Sequence, residues 1–445
     1  MQRRGAMILE RKAMALFRLW KETKTRQALL VTGARQVGKS YLIKRFCEQE
    51  YESVVYFDLV ENAAAALSFS QAVSVDDLLF RMSVLAERPL GQAHSVVVFD
   101  EVQECPQIVT FVKYLVDRGD SDYILSGSLL GVALEGIRSL PVGYISEVRM
   151  YALDFEEFCW AHALPRDVFA RLDGYMRAIT PVPDFLHERL MQLFRTYLIV
   201  GGMPDAVVKY RQSNDATEVR TTQQDIHRLY REDIAKYAPV ELRLVIRNIY
   251  ELVPSQLLEE NRRFKLSSIP DVKRFSAVQD NFLWLDNAGV TLCVPNVTQP
   301  IAPLLASEKR SLFKLFLSDV GLLTSTYVKQ TANNILTGTH DVALGGMYEN
   351  FVTQELVAHG FSVRYYSSKR IGELDALVET ADGTVMVFEV KSGKGYKTHA
   401  ALDNALKAWP SQHMAAFVLY NGNVERSGDV TYLPIYMIAL FSSRS

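Results

Sequence analysis

The chain has 445 residues, with 49 Lys and Arg against 51 Asp and Glu, a net charge of −2, and 49% apolar residues. That length exceeds a single hydrophobic core and implies two to four domains. The balanced charge excludes a polycation that holds nucleic acid by bulk electrostatics. Four scattered cysteines (Cys47, Cys105, Cys159 and Cys293) form no C-x-x-C pair, which argues against zinc ribbons and disulfide frameworks and for a reducing cytoplasm.

The start, Met1-Gln2-Arg3-Arg4, is basic but lacks the apolar core of a signal peptide. No apolar stretch approaches the ~20 residues that cross a bilayer, so no membrane partner is expected. A basic amphipathic helix follows with Arg11, Lys12, Arg18, Lys21 and Lys24, read as a solvated face in preference to a DNA-binding arm. Next, the apolar run Ala28-Leu29-Leu30-Val31 leads directly into Gly33-Ala34-Arg35-Gln36-Val37-Gly38-Lys39-Ser40, followed by Tyr41. This fits G-x-x-x-x-G-K-[ST] in its required setting of buried strand, tight loop and helix start. The glycines let backbone N–H groups turn toward phosphates, and Lys39 is placed for the β- and γ-phosphates. Ser40 offers a hydroxyl to Mg²⁺, while the helix points its positive end at the anion. ATP and Mg²⁺ are the expected ligands, bound across residues 33–41.

Ser95-Val96-Val97-Val98-Phe99-Asp100-Glu101 is a β-branched run ending in two acids, the pattern of a buried parallel strand with carboxylates at its C-terminal edge. Asp100 is expected to hold Mg²⁺ through water and Glu101 to polarise the attacking water. A base at Glu101 points to a hydrolysing ATPase and away from small-molecule kinases and Ras-like GTPases. A further strand, Asp122-Tyr123-Ile124-Leu125-Ser126-Gly127-Ser128, brings Ser126 or Ser128 beside the γ-phosphate, or is a plain strand-to-loop turn. Another, Gly143 to Tyr151, leads into Leu153-Asp154-Phe155-Glu156-Glu157-Phe158, where Asp154 reads as a helix N-cap. Arg118 and Arg138 are candidates for an arginine acting in trans.

Beyond this, residues 165–240 read as a helical lid broken by Gly201-Gly202-Met203-Pro204. Residues 241–330 have the rhythm of a winged helix-turn-helix: a long helix from Leu242 to Glu259, a turn at Ser267-Ser268-Ile269-Pro270, a segment from Asp271 to Phe275, a helix within Ser276 to Asn287, and a wing after Gly289. The second helix of that pair carries two acids and no Lys or Arg, which makes it a poor reader of DNA phosphates. A protein-interacting or structural winged helix is an equal alternative.

The last block, residues 331–445, opens with a helix over Gly346 to Leu356 that carries Glu349. Strands Ser362 to Tyr366 and Gly372 to Val378 follow, then an Asp382-Gly383 hairpin turn and a return strand from Val385 to Lys391. An acid on a helix, Asp375 on one strand and Glu389-x-Lys391 on its partner resemble the PD-(D/E)XK nuclease arrangement of Holliday-junction resolvases and type II restriction enzymes. Glu389 and Lys391, two apart on a strand, share a face. On that reading Glu349, Asp375 and Glu389 hold one or two Mg²⁺, with Glu373 as a further ligand, and Lys391 orients the water. The alternatives are chance acids on a hairpin, or a nuclease fold retained for binding or oligomerisation.

The motifs GARQVGKS, VVVFDE, ILSGS and LDFEEF, in this order, resemble prokaryotic AAA+ ATPases related to the STAND class and to archaeal ATPases. The later segments Tyr197 to Pro204, Ser318 to Leu323, and Glu373 through Gly393 resemble the subgroup with a C-terminal domain of unknown function. The resemblance implies an α/β protein with a P-loop AAA+ parallel-sheet core over residues 1–164, a helical lid, a winged helix and a PD-(D/E)XK-like α/β domain. Three roles follow. The favoured one is an ATP-driven machine acting on DNA or other nucleic acid. The second is a STAND-like nucleotide-controlled switch, binding ATP or ADP and working through a homo-oligomer or a partner protein. The third is a non-nuclease scaffold or regulator that simply binds nucleotide.

Overall fold

The structure is a computed structural model, and it describes residues 7–24, 26–86, 88, 90–91, 94–128, 143–259, 261–270, 272, 274–339, 344–393, 395–410 and 413–443. The chain divides into two units. The first comprises Glu10–Tyr151 with Asn287–Gly289, and the second is built from Met1–Leu9, Ala152–Asp286 and Val290–Ser445.

In the first unit, strands β1 (Ala28–Thr32), β2 (Ser53–Asp58), β3 (Ser95–Asp100), β4 (Asp122–Gly127) and β5 (Ile145–Arg149) form one sheet of order β2-β3-β4-β1-β5. Every pairing is parallel. All six positions of β3 are buried, as a strand covered on both faces requires. Its apolar side chains, with β2 and β4, pack in a core that includes Phe57, Phe69, Val97, Phe99, Val112 and Leu125. Helices α1 (Ala13–Thr23), α2 (Lys39–Glu50), α3 (Ala63–Ser70), α4 (Val75–Leu85) and α5 (Gln107–Arg118) connect and flank these strands. Because the strands are parallel, the C-terminal ends of β1, β3 and β4 meet along one edge, where α/β sheets bind ligands. Strand β2 is absent from the sequence reading, although Val54-Val55-Tyr56-Phe57 carries the β-branched and aromatic composition of a strand.

The first unit closes at Tyr151 rather than at residue 164, because the chain leaves the sheet after β5. Leu153 N–H donates to the Gly202 carbonyl at 2.7 Å, and Tyr197 Oη donates to the Leu153 carbonyl at 2.5 Å. Helix α6 (Phe155–Ala161) then starts on the expected cap. Glu157 N–H donates to Asp154 Oδ1 at 2.8 Å, and the Glu157 carboxylate accepts from Asp154 N–H at 3.2 Å. That reciprocal pair satisfies donors left open at a helix start.

The expected helical block is present as α7 (Asp167–Ala178), α8 (Asp184–Val200), α9 (Pro204–Ser213) and α10 (Ala216–Tyr237). The glycine break between α8 and α9 is a contact point, not merely a stop. Gly202 leaves no room for a Cβ against the Leu153 carbonyl, and Gly321 leaves none against the backbone of Val200 and Gly201. The two distant glycine motifs therefore pack backbone to backbone.

After α11 (Arg243–Leu258), the structure departs from a winged helix. The described residues between 266 and 277 form only two short 3₁₀ turns, Leu266–Ser268 and Phe275–Ala277, before α12 (Gln279–Asn287); Asp271 lies outside the described residues. Pro270 cannot supply a helical N–H, and Phe275 is committed to an aromatic cluster with Phe282 and Phe313. The hairpin expected as a wing, β6 (Thr291–Val297) and β7 (Glu308–Leu317), is instead the edge of a larger sheet. The chain continues through α13 (Val320–Thr326), α14 (Lys329–Thr337), α15 (Leu344–Ala358), β8 (Arg364–Ser368), β9 (Gly372–Glu379), β10 (Val385–Val390), α16 (Ala400–Ala408), β11 (Met414–Tyr420), β12 (Glu425–Ser427) and β13 (Val430–Pro434). These strands complete an eight-stranded sheet of order β12-β13-β11-β10-β9-β8-β6-β7. β6 joins β8 in parallel through Asn296 and Val297, so the sheet runs across the boundary expected at residue 330.

Candidate functional site

The loop between β1 and α2 has the backbone that its spelling implies. Gly33 (φ 137°) and Gly38 (φ 90°) occupy the left-handed region, as does the non-glycine Gln36 (φ 68°). A Cβ on Gly33 would land on the Met150 carbonyl, so only glycine fits. Helix α2 begins at Lys39 behind Gly38 with no side chain capping it. Its first-turn N–H groups and its dipole therefore face the loop, the arrangement that receives phosphate. Lys39 is buried, and its Nζ donates to the carbonyls of Gly33 at 3.0 Å and Ala34 at 2.9 Å. Ala34, Arg35, Val37, Ser40 and Tyr41 complete the expected stretch, with Tyr41 exposed and Val37 buried.

The two acids sit at the end of β3. Asp100 is buried and accepts from the hydroxyls of Ser126, on neighbouring β4, and of Tyr56, on neighbouring β2. Burial pushes the Tyr56 phenol well above its ordinary value, and the adjacent Asp100 charge adds to that shift, so it stays a donor. Glu101 adopts φ 55°, an unusual conformation for a non-glycine residue, directly after the end of β3. Ser128 Oγ lies 3.2 Å from both Glu101 oxygens, and Gln103 Nε2 donates to Oε2 at 2.5 Å. Lys39 Nζ in turn donates to Ser128 Oγ at 3.1 Å. The P-loop lysine, the polar end of β4 and the acid after β3 are thus joined in one hydrogen-bonded chain.

Tyr56 and Arg11 belong to this site and were not found in the sequence. Tyr56 also interacts with Ser40, so one hydroxyl touches both residues expected to hold the metal. Its signal was its place on the overlooked β2, opposite Val98 of β3. Arg11 donates to the Val37 carbonyl at 2.8 Å and the Tyr151 carbonyl at 2.6 Å, bracing the loop from outside. Arg18 and Lys24, which share the expected basic face, pair with Glu50 and Asp122 at 3.0 Å each. Arg118 pairs with Asp76 at 2.6 Å, and Arg138 lies outside the described residues.

In the second unit, Glu349 lies on α15, Glu373 and Asp375 on β9, Glu389 on β10, and Lys391 follows β10. The expected metal set is not gathered around an open centre. Glu349 is buried and taken up by Arg262 and by Lys314, whose Nζ is 2.8 Å from Glu349 Oε2. The same Nζ is 2.7 Å from Glu373 Oε1 and 3.8 Å from Asp375 Oδ1. Asp375 Oδ2 accepts from Val390 N–H at 2.8 Å, and Glu389 Oε1 pairs with Lys391 at 2.8 Å. Among the described residues, no group of three or more His, Cys, Asp and Glu side chains is arranged to hold a metal ion. The reason is electrostatic: cations of the chain itself occupy the space between the carboxylates.

Those cations set the local ionisation. Burial opposes the charge on Glu349, but Lys314 and Arg262 hold its carboxyl below the usual range. Asp375 is pushed well above that range by burial, then by Glu349 and Glu389. Burial likewise pushes Glu389 up, against the pull of Lys391. Lys314 was missed in the sequence, yet it left a sign. It is the single charged residue within Leu312-Phe313-Lys314-Leu315-Phe316-Leu317, and a lysine inside a buried strand demands a carboxylate partner.

Comparison with known proteins locates three matches along the chain. A family described as an AAA domain matches residues 25–159. A domain of unknown function (DUF8612) matches residues 191–333, and another (DUF4143) matches residues 344–438. No curated protein matches the chain. Among solved structures it is similar to the Walker-type ATPase of Pyrococcus abyssi at 16% identity, over 72% of this chain and 96% of that one, with a TM-score of 0.40. It is similar to the Aeropyrum pernix ORC1 protein in complex with DNA at 12% identity (75% and 93% covered, TM-score 0.29). It is also similar to Cdc6p of Pyrobaculum aerophilum at 11% identity (76% and 97% covered, TM-score 0.28). No described helix is long and apolar enough to cross a membrane. The AAA match spans β1 to β5 and contains the P-loop, Asp100, Glu101 and Ser128, so the chain carries an AAA domain of the P-loop ATPase class.

Proposed function

We propose that the first unit binds ATP with Mg²⁺ at residues 33–41 and hydrolyses it, and that the protein works as a nucleotide-controlled switch. The observation that carries hydrolysis is the chain from Lys39 through Ser128 to Glu101, which ties the phosphate-binding lysine to a carboxylate positioned as a base. Lys39, now on the Gly33 and Ala34 carbonyls, is the cation for the β- and γ-phosphates. The Ser40 hydroxyl and the Asp100 carboxylate, both contacted by Tyr56, suit a hydrated Mg²⁺, which would neutralise charge on the phosphates. Glu101 accepts a proton from water as its oxygen bonds to the γ-phosphorus. The bond from that phosphorus to the bridging oxygen breaks, and ADP leaves with the electron pair.

A switch is favoured over a DNA-processing machine by where the cations lie. Arg18 and Lys24 are engaged with Glu50 and Asp122, and α12 carries no basic residue. The hairpin that would serve as a wing is part of a sheet.

The test is ATP turnover with Mg²⁺, with and without duplex, single-stranded and branched DNA. Lys39→Ala should lose nucleotide binding. Glu101→Gln should keep binding and lose about 10²- to 10⁴-fold in turnover, the usual worth of a positioned base. Wild-type turnover by Glu101→Gln removes Glu101 as the base, and strong stimulation by one DNA form replaces the switch with a nucleic-acid machine.

A further inference from the structure

A nuclease-like arrangement of acids implies a divalent metal, and the side chains of the second unit do not fit one. Four carboxylates converge there, from α15, β9 and β10. Three of them already surround the Lys314 ammonium, which has no exposed surface. Lys314 cannot swing away. It lies within β7, with Phe313 and Leu315 buried beside it and the Tyr365 ring 5.2 Å from its Nζ. Arg262 closes the far side of Glu349, and the chain makes space for it: a Cβ on Gly345 would strike the guanidinium. Lys391 takes one oxygen of Glu389. Glu389 Oε2 is buried with no hydrogen-bond partner among the described residues, and Asp375 Oδ1 lies 3.8 Å from the Lys314 ammonium. Carboxylates that already share a buried ammonium are not a site for a divalent cation, which asks for several oxygen ligands and repels a neighbouring positive charge.

We propose that the Lys314 ammonium stands where a metal ion would sit in a nuclease of this shape, so that the second unit folds around its own cation and does not cleave phosphodiesters. Lys314 and Arg262 join β7 and the segment after α11 to α15 and β9. The ion cluster therefore serves as a fixed tie between elements far apart in sequence. Burial works against the charge on Lys314, but Glu349, then Asp375 and Glu373, hold it protonated far above neutral pH.

The experiment is a Mn²⁺ titration of the full-length, nucleotide-free protein followed by electron paramagnetic resonance. It compares wild type, Asp375→Asn, Lys314→Met and Lys314→Met/Asp375→Asn. Wild type and Asp375→Asn should bind the same number of Mn²⁺ ions. Lys314→Met should bind one more, and the double variant should lose it again. The proposal is overturned if wild type holds a Mn²⁺ ion that Asp375→Asn loses, or if folded Lys314→Met gains none. Should Lys314→Met fail to fold, Lys314→Gln replaces it, and the comparison of wild type with Asp375→Asn is decisive alone. Nucleotide is absent throughout, so the result is independent of the ATPase reading.

Discussion

The two units each gather carboxylates on and beside a sheet, and they treat them in opposite ways. In the first unit, Asp100 and Glu101 are held by neutral partners: the hydroxyls of Tyr56, Ser126 and Ser128 and the amide of Gln103. In the second, Glu349, Glu373 and Asp375 surround the ammonium of Lys314, with Arg262 on Glu349. Hydroxyls orient a carboxylate and leave its charge to act on something else. A buried ammonium consumes that charge. Similar strings of acids in a sequence can therefore end among neutral hydroxyls or around a buried cation, and the difference lies in the residue placed between them.

The sharpest way to break this comparison is to remove the central partner of each cluster. Lys314→Ala leaves Glu349 and Glu373 buried or half-buried without their shared cation, which should destabilise the second unit by about 3–5 kcal/mol. Denaturant unfolding followed by tryptophan fluorescence would register it, since Trp160, Trp284 and Trp409 all belong to that unit. Adding Glu349→Gln to Lys314→Ala should recover part of the loss. Ser126→Ala in the first unit removes one hydroxyl hydrogen bond to the Asp100 carboxylate and should cost about 2 kcal/mol, the worth of a bond to a charged group. Equal costs at the two sites would erase the distinction.

Asp319 offers an intermediate case, a fully buried acid held by backbone N–H groups rather than by a side-chain cation. It caps α13, accepting from Leu322 N–H at 2.9 Å and from Gly202 N–H at 2.7 Å. Burial raises its pKa from 3.8 to about 6, against the pull of those donors, whereas Glu349 with two cations is held below its usual range. The folded-state value lies above the unfolded one, so the protonated form is favoured on folding. Its contribution is complete below about pH 4 and lost as pH rises through about 6, on the order of 3 kcal/mol in all. The stability difference between wild type and Asp319→Asn, measured by denaturation from pH 4 to pH 7, should therefore shrink as pH rises. A difference that grows with pH would mean that the backbone donors outweigh burial.

The legible parts of the molecule were those in which neighbours in sequence act together. The P-loop, the acids at the end of β3 and the Asp154 cap are local patterns, and each was placed correctly by its spelling. Misreadings came where a partner lies far along the chain. The β6–β7 hairpin looks like a wing until β8, some seventy residues further on, pairs with it. Glu349, Asp375 and Glu389 look like metal ligands until Lys314 arrives from β7. Arg11 looks solvated until the Val37 carbonyl is brought to it. A strand also went unread although its four central residues, Val54 to Phe57, are β-branched or aromatic, and with it the hydroxyl that touches Ser40 and Asp100. The second unit's glycine motifs show the same limit: only the fold reveals that Gly202 and Gly321 are needed for close backbone approach.

The smallest expected effect tests the idea that hydroxyls orient without neutralising. Ser128 bridges Lys39 and Glu101, and on the proposed mechanism it replaces neither the cation nor the base, which makes it a positioning residue. Ser128→Ala should lower kcat by roughly tenfold, the worth of about one hydrogen bond to a charged group, while leaving KM for ATP nearly unchanged. Ser128→Thr, which restores a hydroxyl, should recover most of that loss. A rise in KM without a fall in kcat would place Ser128 with the phosphate-binding lysine instead of the base. If neither constant moves, Gln103 alone is sufficient to hold Glu101, and the link from β4 to the carboxylate is not used in turnover.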